Sequence, residues 1–237
     1  MTASRDQLCV ALDGSDRRWI LDSARVLGPV VGWLKLGLEA FTAHGPALVA
    51  EVAADHGRVF LDLKLHDIPT TVRRAAANCA ASGAAMFNVH AAGGRAMLDA
   101  AVAGAREGAA GRDVKVLAVT VLTSLDRQAL AELGVGAPPD ELVLRWARLA
   151  REVGLDGVVA SAREAAAVRR ACGPGFLIVT PGVRPAWAAA DDQRRVATPA
   201  EAVAAGADIL VVGRPITGAS SPRRAARRVL DELADGP

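Results

Sequence analysis

Tyrosine is missing altogether from these 237 residues, and Phe and Trp together supply only 3%. Aromatic platforms for stacking nucleic-acid bases are therefore excluded, and so is tyrosine chemistry. Neither sign of charge dominates: 28 Lys and Arg stand against 26 Asp and Glu, a formal net charge of +2. That balance argues against a nucleic-acid binder or a protein held on an anionic membrane. Cysteine is scarce, with Cys9, Cys79 and Cys172 far apart and no C-x-x-C pair. A disulfide framework and a structural zinc site are both disfavoured, and a reducing compartment is the natural setting. No apolar run approaches the ~18–20 residues that span a bilayer. The polar start, Met1 to Gln7, has no signal-peptide stretch behind it. The expectation is a soluble, cytoplasmic protein with no membrane and no nucleic-acid partner.

Apolar residues are plentiful, at 51% hydrophobic against 23% charged, so the chain can bury a core and is not disordered. Short apolar runs alternate with Ala-rich helical stretches and no linker interrupts them. Strands are predicted at Leu8–Asp13, Val31–Gly37, Arg58–Lys64, Ala85–His90, Val114–Val121, Gly157–Ser161, Phe176–Thr180 and Asp208–Gly213. Helices are predicted at Asp16–Val26, Glu39–His56, Thr71–Ala81, Arg95–Glu107, Asp140–Val153, Arg163–Ala171 and Pro222–Leu233. Eight strands with helices between nearly all of them predict an α/β fold, a single (β/α)8 TIM barrel over residues 1–237. A doubly wound open sheet is the rival, weakened because no G-x-G-x-x-G follows the first strand. Two longer connections, about 122–139 and 181–198, follow the C-terminal ends of strands, where barrel enzymes carry their chemistry.

Strand parity sharpens this picture, because successive side chains point to opposite faces. Leu8, Val10 and Leu12, then Leu34, Leu36 and Leu38, then Leu61, Leu63 and Leu65, are assigned to the face under the helices. Asp13, Lys35, Asp62 and Lys64 then converge on the inside, at the C-terminal ends of three consecutive strands. The fifth strand gives no clean parity. A structural ion-pair network is the competing account, but four such groups at one barrel mouth favour a functional centre. Asp67, before Ile68-Pro69, reads equally as a helix N-cap. Thr70 and Thr71 read equally as first-turn residues. Pro181-Gly182-Val183-Arg184-Pro185 and Gly213-Arg214-Pro215 follow the last two strands, where this type of barrel grips phosphate with glycine N–H groups and arginine. Gln193 sits in the longer of these loops, where a solvated side chain is the plain alternative. His90 and His66 have no second ligand at metal spacing, and His90 reads as a hydrogen-bonded core histidine. The residues alone support a phosphate-binding barrel enzyme with proton transfer by a lysine at its Asp/Lys centre.

Phe60-Leu61-Asp62-Leu63-Lys64-Leu65-His66-Asp67-Ile68-Pro69 resembles the signature of the orotidine 5′-monophosphate decarboxylase family, Asp-x-Lys-x-x-Asp followed by Ile-Pro-Asn-Thr. The likeness extends in order through Val10–Asp13, Leu34–Gly37, Asn88–Ala91, Val119–Ser124, Thr180–Pro185, Asp192–Arg195 and Val212–Pro215. It implies the same barrel and a carboxy-lyase that converts orotidine 5′-monophosphate to UMP in de novo pyrimidine biosynthesis. It further implies a homodimer with shared active sites and no metal or organic cofactor. By the family's roles, Lys64 protonates the ring carbon after carbon dioxide leaves. Asp62 lies beside the substrate carboxylate, and Lys35 and Asp67 complete an alternating charged network. Asp13 and Lys35 match ribose contacts, and Thr123 matches a position near the pyrimidine. Arg184, Gln193, Gly213 and Arg214 match the phosphate grip, while Asp67 and Thr71 match residues that reach into the neighbouring subunit's site. One departure is plain: Thr70 stands where the family usually has Asn.

Two rivals share much of this pattern. Magnesium-dependent sugar-phosphate decarboxylases and hexulose-phosphate synthases resemble it in the Asp-x-Lys-x-x-Asp core. Asp67-Ile68-Pro69 and the Gln193 loop favour the nucleotide substrate over theirs. A regulatory barrel that has lost its chemistry is disfavoured by the complete set Lys35, Asp62, Lys64 and Asp67.

Overall fold

The strands close on themselves. A computed structural model describes residues 4–188 and 197–235, and its eight strands pair in sequence order, all parallel, with β8 returning to β1. They are β1 (Leu8–Ala11), β2 (Trp33–Gly37), β3 (Val59–Leu65), β4 (Met86–His90), β5 (Lys115–Val119), β6 (Gly157–Val159), β7 (Leu177–Thr180) and β8 (Ile209–Val212). The long helices are α1 (Arg17–Leu27), α2 (Leu38–Asp55), α3 (Pro69–Ala81), α4 (Gly94–Gly108), α6 (Pro139–Glu152), α7 (Ala162–Cys172) and α10 (Pro222–Asp235). Three short α-helices, α5 (Arg127–Glu132), α8 (Pro199–Ala204) and α9 (Arg214–Thr217), and two 3-10 turns, at Arg5–Gln7 and Ala91–Gly93, complete the helices of the described residues. Helix α2 is broken at Gly45, whose φ of 66° and following Pro46 end one helical segment and start the next.

The (β/α)8 barrel expected from periodicity is the observed fold. Strand ends differ from those expected by one or two residues, at starts as well as at ends. Asp13, for example, lies beyond β1 rather than in it. The three short helices were not foreseen. Each has only four to six residues, too few for a helical period to register.

The parity assignment holds along the strands and fails at Leu38, which is 53% exposed because β2 ends at Gly37 and Leu38 already opens α2. Leu8, Val10, Leu12, Leu34, Leu36 and Leu61 join one large cluster with the helices. Cys9, Ala11, Trp33, Phe60, Met86, Leu117, Val179, Ile209 and Val211 form a second cluster inside the barrel. Strand β5 resolves the same way, with Leu117 inside and Val116 and Ala118 outside. Trp33 closes the N-terminal end, its indole N–H donating to Asp6 O at 3.2 Å and its ring covered by the Arg58 guanidinium at 4.2 Å. The three cysteines are free and buried, and burial pushes the Cys79 thiol up to about 11. All three therefore stay protonated and apolar in character.

Helix α3 sets the position of the segment after β3, and α4 holds α3 at close range. Gly104 and Gly108 face the α3 backbone directly. A Cβ on Gly104 would stand 2.0 Å from Arg73 O, and one on Gly108 would stand 2.0 Å from Ala77 O. The Arg73–Glu107 ion pair spans the same seam at the surface. Alanine normally stabilises an exposed helix over glycine by ~1 kcal/mol. Here the sign should reverse. Gly104→Ala and Gly108→Ala are each expected to destabilise by about 1–3 kcal/mol, because two backbones must separate. Urea unfolding midpoints would check this, and an unchanged or raised midpoint would contradict the close approach.

Candidate active site

Four charged side chains meet at the C-terminal mouth of β1, β2 and β3 in alternating sign. Lys35 Nζ lies 2.7 Å from Asp13 Oδ1 and 3.4 Å from Asp62 Oδ2. Lys64 Nζ lies 2.6 Å from Asp62 Oδ1. The row therefore reads Asp13, Lys35, Asp62, Lys64, with each inner member flanked by opposite charge. Lys35 is only 7% exposed, and such a lysine is tolerated because two carboxylates satisfy it. Lys64 has one carboxylate partner and a more open side chain than Lys35.

Burial alone would raise the Asp62 carboxyl, but the Lys35 and Lys64 ammonium groups outweigh it. With hydrogen bonds from Lys64 and Asn88, they hold it below the ordinary carboxylate range. Burial would likewise lower Lys35, yet the carboxylates of Asp62 and Asp13 hold it above the ordinary lysine value. Both groups are thus fixed in their charged forms across neutral pH.

The backbone gives way where the charges sit. From the pair Leu61↔Phe87 to the pair Leu65↔Val89, β3 advances four residues while β4 advances two. Within that bulge Lys64 has φ 52°, one of two positive-φ residues other than glycine among the described residues. Bulges of this kind re-aim side chains beside active sites.

Gly37 ends β2 directly across from Asp62. A Cβ there would stand 2.9 Å from Asp13 Oδ1 and 3.2 Å from Lys35 Nζ, so its bare backbone leaves room for that ion pair. Gly37 and Asn88 belong to sequence motifs that by themselves assign them no role. Parity could have found Asn88, as a polar inward position on an apolar strand. Nothing short of the register could have found Gly37.

The remaining expected residues divide in two. Asp67 and Thr71 stand exposed at the start of α3, and Asp67 makes no ion pair among the described residues. Its capping role is corrected. Ile68 occupies the N-cap position of α3 with no side-chain cap, and Asp67 Oδ1 accepts only from the Ile68 N–H, at 2.6 Å. Pro69 at the helix start lowers the need for a capping acceptor, since it has no N–H to satisfy. Thr123 is exposed in the turn after β5. Arg184 is buried just past β7, where its N–H donates to Ala197 O at 2.9 Å. Gly213 precedes α9 and Arg214 opens it, past the end of β8, the strand paired with β1. Gln193 lies outside the described residues. His90 sits half-buried at the rim rather than in the core, tilted against His66 with ring centroids 5.4 Å apart. Burial first, then the nearby His66 and Lys64, lower its pKa, so its imidazole is neutral at pH 7. Among the described residues no group of three or more His, Cys, Asp or Glu side chains could hold a metal ion.

Fold and site together define a barrel enzyme with a lysine–carboxylate centre at its C-terminal mouth and two basic loops after its last strands. Residues 6–229 match the family model described as the orotidine 5′-phosphate decarboxylase / HUMPS family, and the chain belongs to that family. The orotidine 5′-phosphate decarboxylase of Moorella thermoacetica is 55% identical over 234 residues, covering 97% of this chain and 93% of that protein. The enzyme of the same name from Geobacter sulfurreducens is 50% identical, covering 98% of each. Among solved structures, orotidine 5′-phosphate decarboxylase from Lactobacillus acidophilus superimposes with a TM-score of 0.85 at 37% identity, covering 96% of this chain and 99% of that one.

Two outcomes follow from the geometry. Gly37 has φ −95° and ψ −173°, which any residue adopts, so Gly37→Ala should fold. Its methyl group should displace the Asp13–Lys35 pair and lower kcat/KM by ~10–100-fold; full activity would show the space to be unnecessary. The second outcome concerns pH. The stability contributed by Asp62 is complete above the ordinary carboxylate range and is lost as pH falls through its lowered value. Urea unfolding should therefore show a stability plateau above about pH 5 that declines in acid. In Asp62→Asn that acid decline should be shallower, and an equal or steeper decline would contradict the assignment.

Proposed function

We propose that this enzyme decarboxylates orotidine 5′-monophosphate to UMP in pyrimidine biosynthesis, with Lys64 as the proton donor. The family assignment supports the overall reaction. The observation that carries the chemistry is the alternating row Asp13–Lys35–Asp62–Lys64 at the barrel mouth. In the proposed reaction the bond between the ring carbon and its carboxylate breaks and carbon dioxide leaves. The bonding electron pair stays on the ring carbon. Lys64 stabilises that negative charge as it forms, then transfers a proton from Nζ to the carbon, and the neutral amine regains a proton from water. Asp62, locked in its charged form, holds the Lys64 ammonium in place and lies beside the departing carboxylate. Lys35 keeps Asp62 charged and, with Asp13, binds the ribose hydroxyls, while Thr123 lies near the pyrimidine.

The phosphate falls to Arg184, Gln193, Gly213 and Arg214. Grip on a group remote from the reacting carbon supplies binding energy for orienting the ring. No cofactor enters this scheme: the two ammonium groups of Lys35 and Lys64 balance the two carboxylates of Asp13 and Asp62. Asp67 and Thr71 act across a homodimer, in the neighbouring subunit's site. Their exposure here supports that reading, as does the neighbouring Ile68, apolar and 67% exposed. Three free buried thiols suit a cytoplasmic setting, and among the described residues no helix is long and apolar enough to cross a membrane.

The test is a continuous ultraviolet assay with orotidine 5′-monophosphate in the presence of EDTA. Rapid conversion to UMP is expected, and a magnesium requirement would instead favour the sugar-phosphate branch. Lys64→Ala should lose turnover by on the order of 10⁴-fold or more while still binding UMP. Substantial decarboxylation by that variant would remove Lys64 from the acid role.

A further inference from the structure

Asn88 is a polar side chain, 1% exposed, on a strand of otherwise apolar interior. It alternates on β4 with Phe87 and Val89, which face the helices, so its amide enters the barrel. Both ends of that amide are used on β3. Oδ1 accepts from the Lys64 backbone N–H at 2.7 Å, and Nδ2 donates to Asp62 Oδ1 at 2.7 Å. The same Asp62 oxygen accepts from Lys64 Nζ at 2.6 Å. One side chain therefore fixes the backbone of the lysine and the carboxylate that holds the lysine's ammonium.

The need for it comes from the bulge. Where β3 runs two residues ahead of β4, a regular ladder cannot supply a backbone acceptor for each N–H. The Lys64 N–H finds the Asn88 carbonyl instead. A left-handed conformation at a residue other than glycine costs ~1–3 kcal/mol and persists only where surroundings over-determine it. Here the surroundings are this amide on one side and the Asp62 ion pair on the other.

We propose that Asn88 is a positioning residue for the reaction, its amide clamping the β3 bulge and thereby setting the direction of the Lys64 ammonium. The inference rests on the reading of Lys64 as proton donor. Only an uncharged amide of this length does both tasks. Aspartate would keep an acceptor for the Lys64 N–H but turn a second carboxylate on Asp62. Leucine has the same branching with bulkier methyl groups and leaves the N–H unpaired. Because Asn88 is sealed from the mouth, its loss should spare substrate binding and fall on the chemical step. It should also reach the pH profile, since a donor that favours ionised Asp62 disappears.

The experiment compares wild type, Asn88→Asp, Asn88→Leu and Lys64→Ala as full chains, by steady-state decarboxylation of orotidine 5′-monophosphate from pH 5 to 10 and by calorimetric binding of UMP. Both Asn88 variants are expected to lose ~10–1,000-fold in kcat, with KM and UMP affinity within about threefold. In Asn88→Asp the acid limb of kcat/KM should move toward neutral pH. Wild-type kcat with an unmoved acid limb in Asn88→Asp would overturn the proposal. So would a loss confined to KM, which would make Asn88 a binding residue. Should Asn88→Leu fail to fold, Asn88→Asp decides alone, and unfolding of both would leave Asn88 a stability residue only. Turnover by Lys64→Ala would sink the lysine assignment itself. An inactive Lys64→Ala beside a fully active Asn88→Asp would leave the lysine standing and remove Asn88.

Discussion

Asp62 is where the constraints of this molecule meet. Its carboxylate lies between two ammonium groups and accepts a third bond from a buried amide. Without it, Lys35 and Lys64 would face each other at the mouth with one carboxylate, Asp13, left to share. The surrounding fold serves that arrangement. Strand β2 delivers Lys35 and the bare Gly37, the bulged end of β3 delivers Asp62 and Lys64, and β4 delivers Asn88. Three consecutive parallel strands can do this because their C-terminal ends lie side by side by topology.

The alternation of charge explains how four ionised groups share a partly buried mouth. A lone buried lysine or aspartate would neutralise itself by shifting its pKa. Here each desolvation penalty is opposed by neighbours of opposite sign, and both Lys35 and Asp62 shift toward their charged forms. The row is also asymmetric. Its Asp13 end is exposed, in the segment after β1, while its Lys64 end is less exposed and has a single carboxylate partner. On the proposed reaction, that asymmetry separates the pair that binds from the pair that reacts.

The barrel and the inward face were legible because both rest on simple periods. Alternation by two assigned Asp13, Lys35, Asp62 and Lys64 to one interior, and the apolar runs between helices counted eight strands. What stayed hidden depends on register or on local irregularity. The two-residue slip between β3 and β4 has no signature in the order Leu61 to Leu65. It arises only when β3 is laid against β4, and the left-handed Lys64 follows from it. Gly37 looks like any strand-ending glycine until Asp13 and Lys35 are seen to occupy the space of its missing side chain. Asp67 shows the opposite failure. Asp before Ile-Pro fits an N-cap pattern by spacing, yet the helix starts one residue later, with Pro69 removing an N–H the cap would have served.

The distribution of roles along the chain has a physical logic of its own. The charged centre comes from the ends of β1 to β4, where ladder bonds and the Asn88 hydrogen bonds surround it. The expected phosphate contacts that the structure describes, Arg184, Gly213 and Arg214, follow β7 and β8, with Arg214 in the first turn of α9. A transition state with charge building on one carbon rewards a fixed ammonium, because a dipole or charge already in place need not reorganise during the reaction. Phosphate binding makes the opposite demand, since its part is to recruit and orient a substrate that must enter and leave. On the proposed reaction, the first demand falls on the ends of β1 to β3 and the second on the segments after β7 and β8. The closed barrel joins them, because β8 pairs with β1 and so brings Arg214 beside the strand that leads to Asp13.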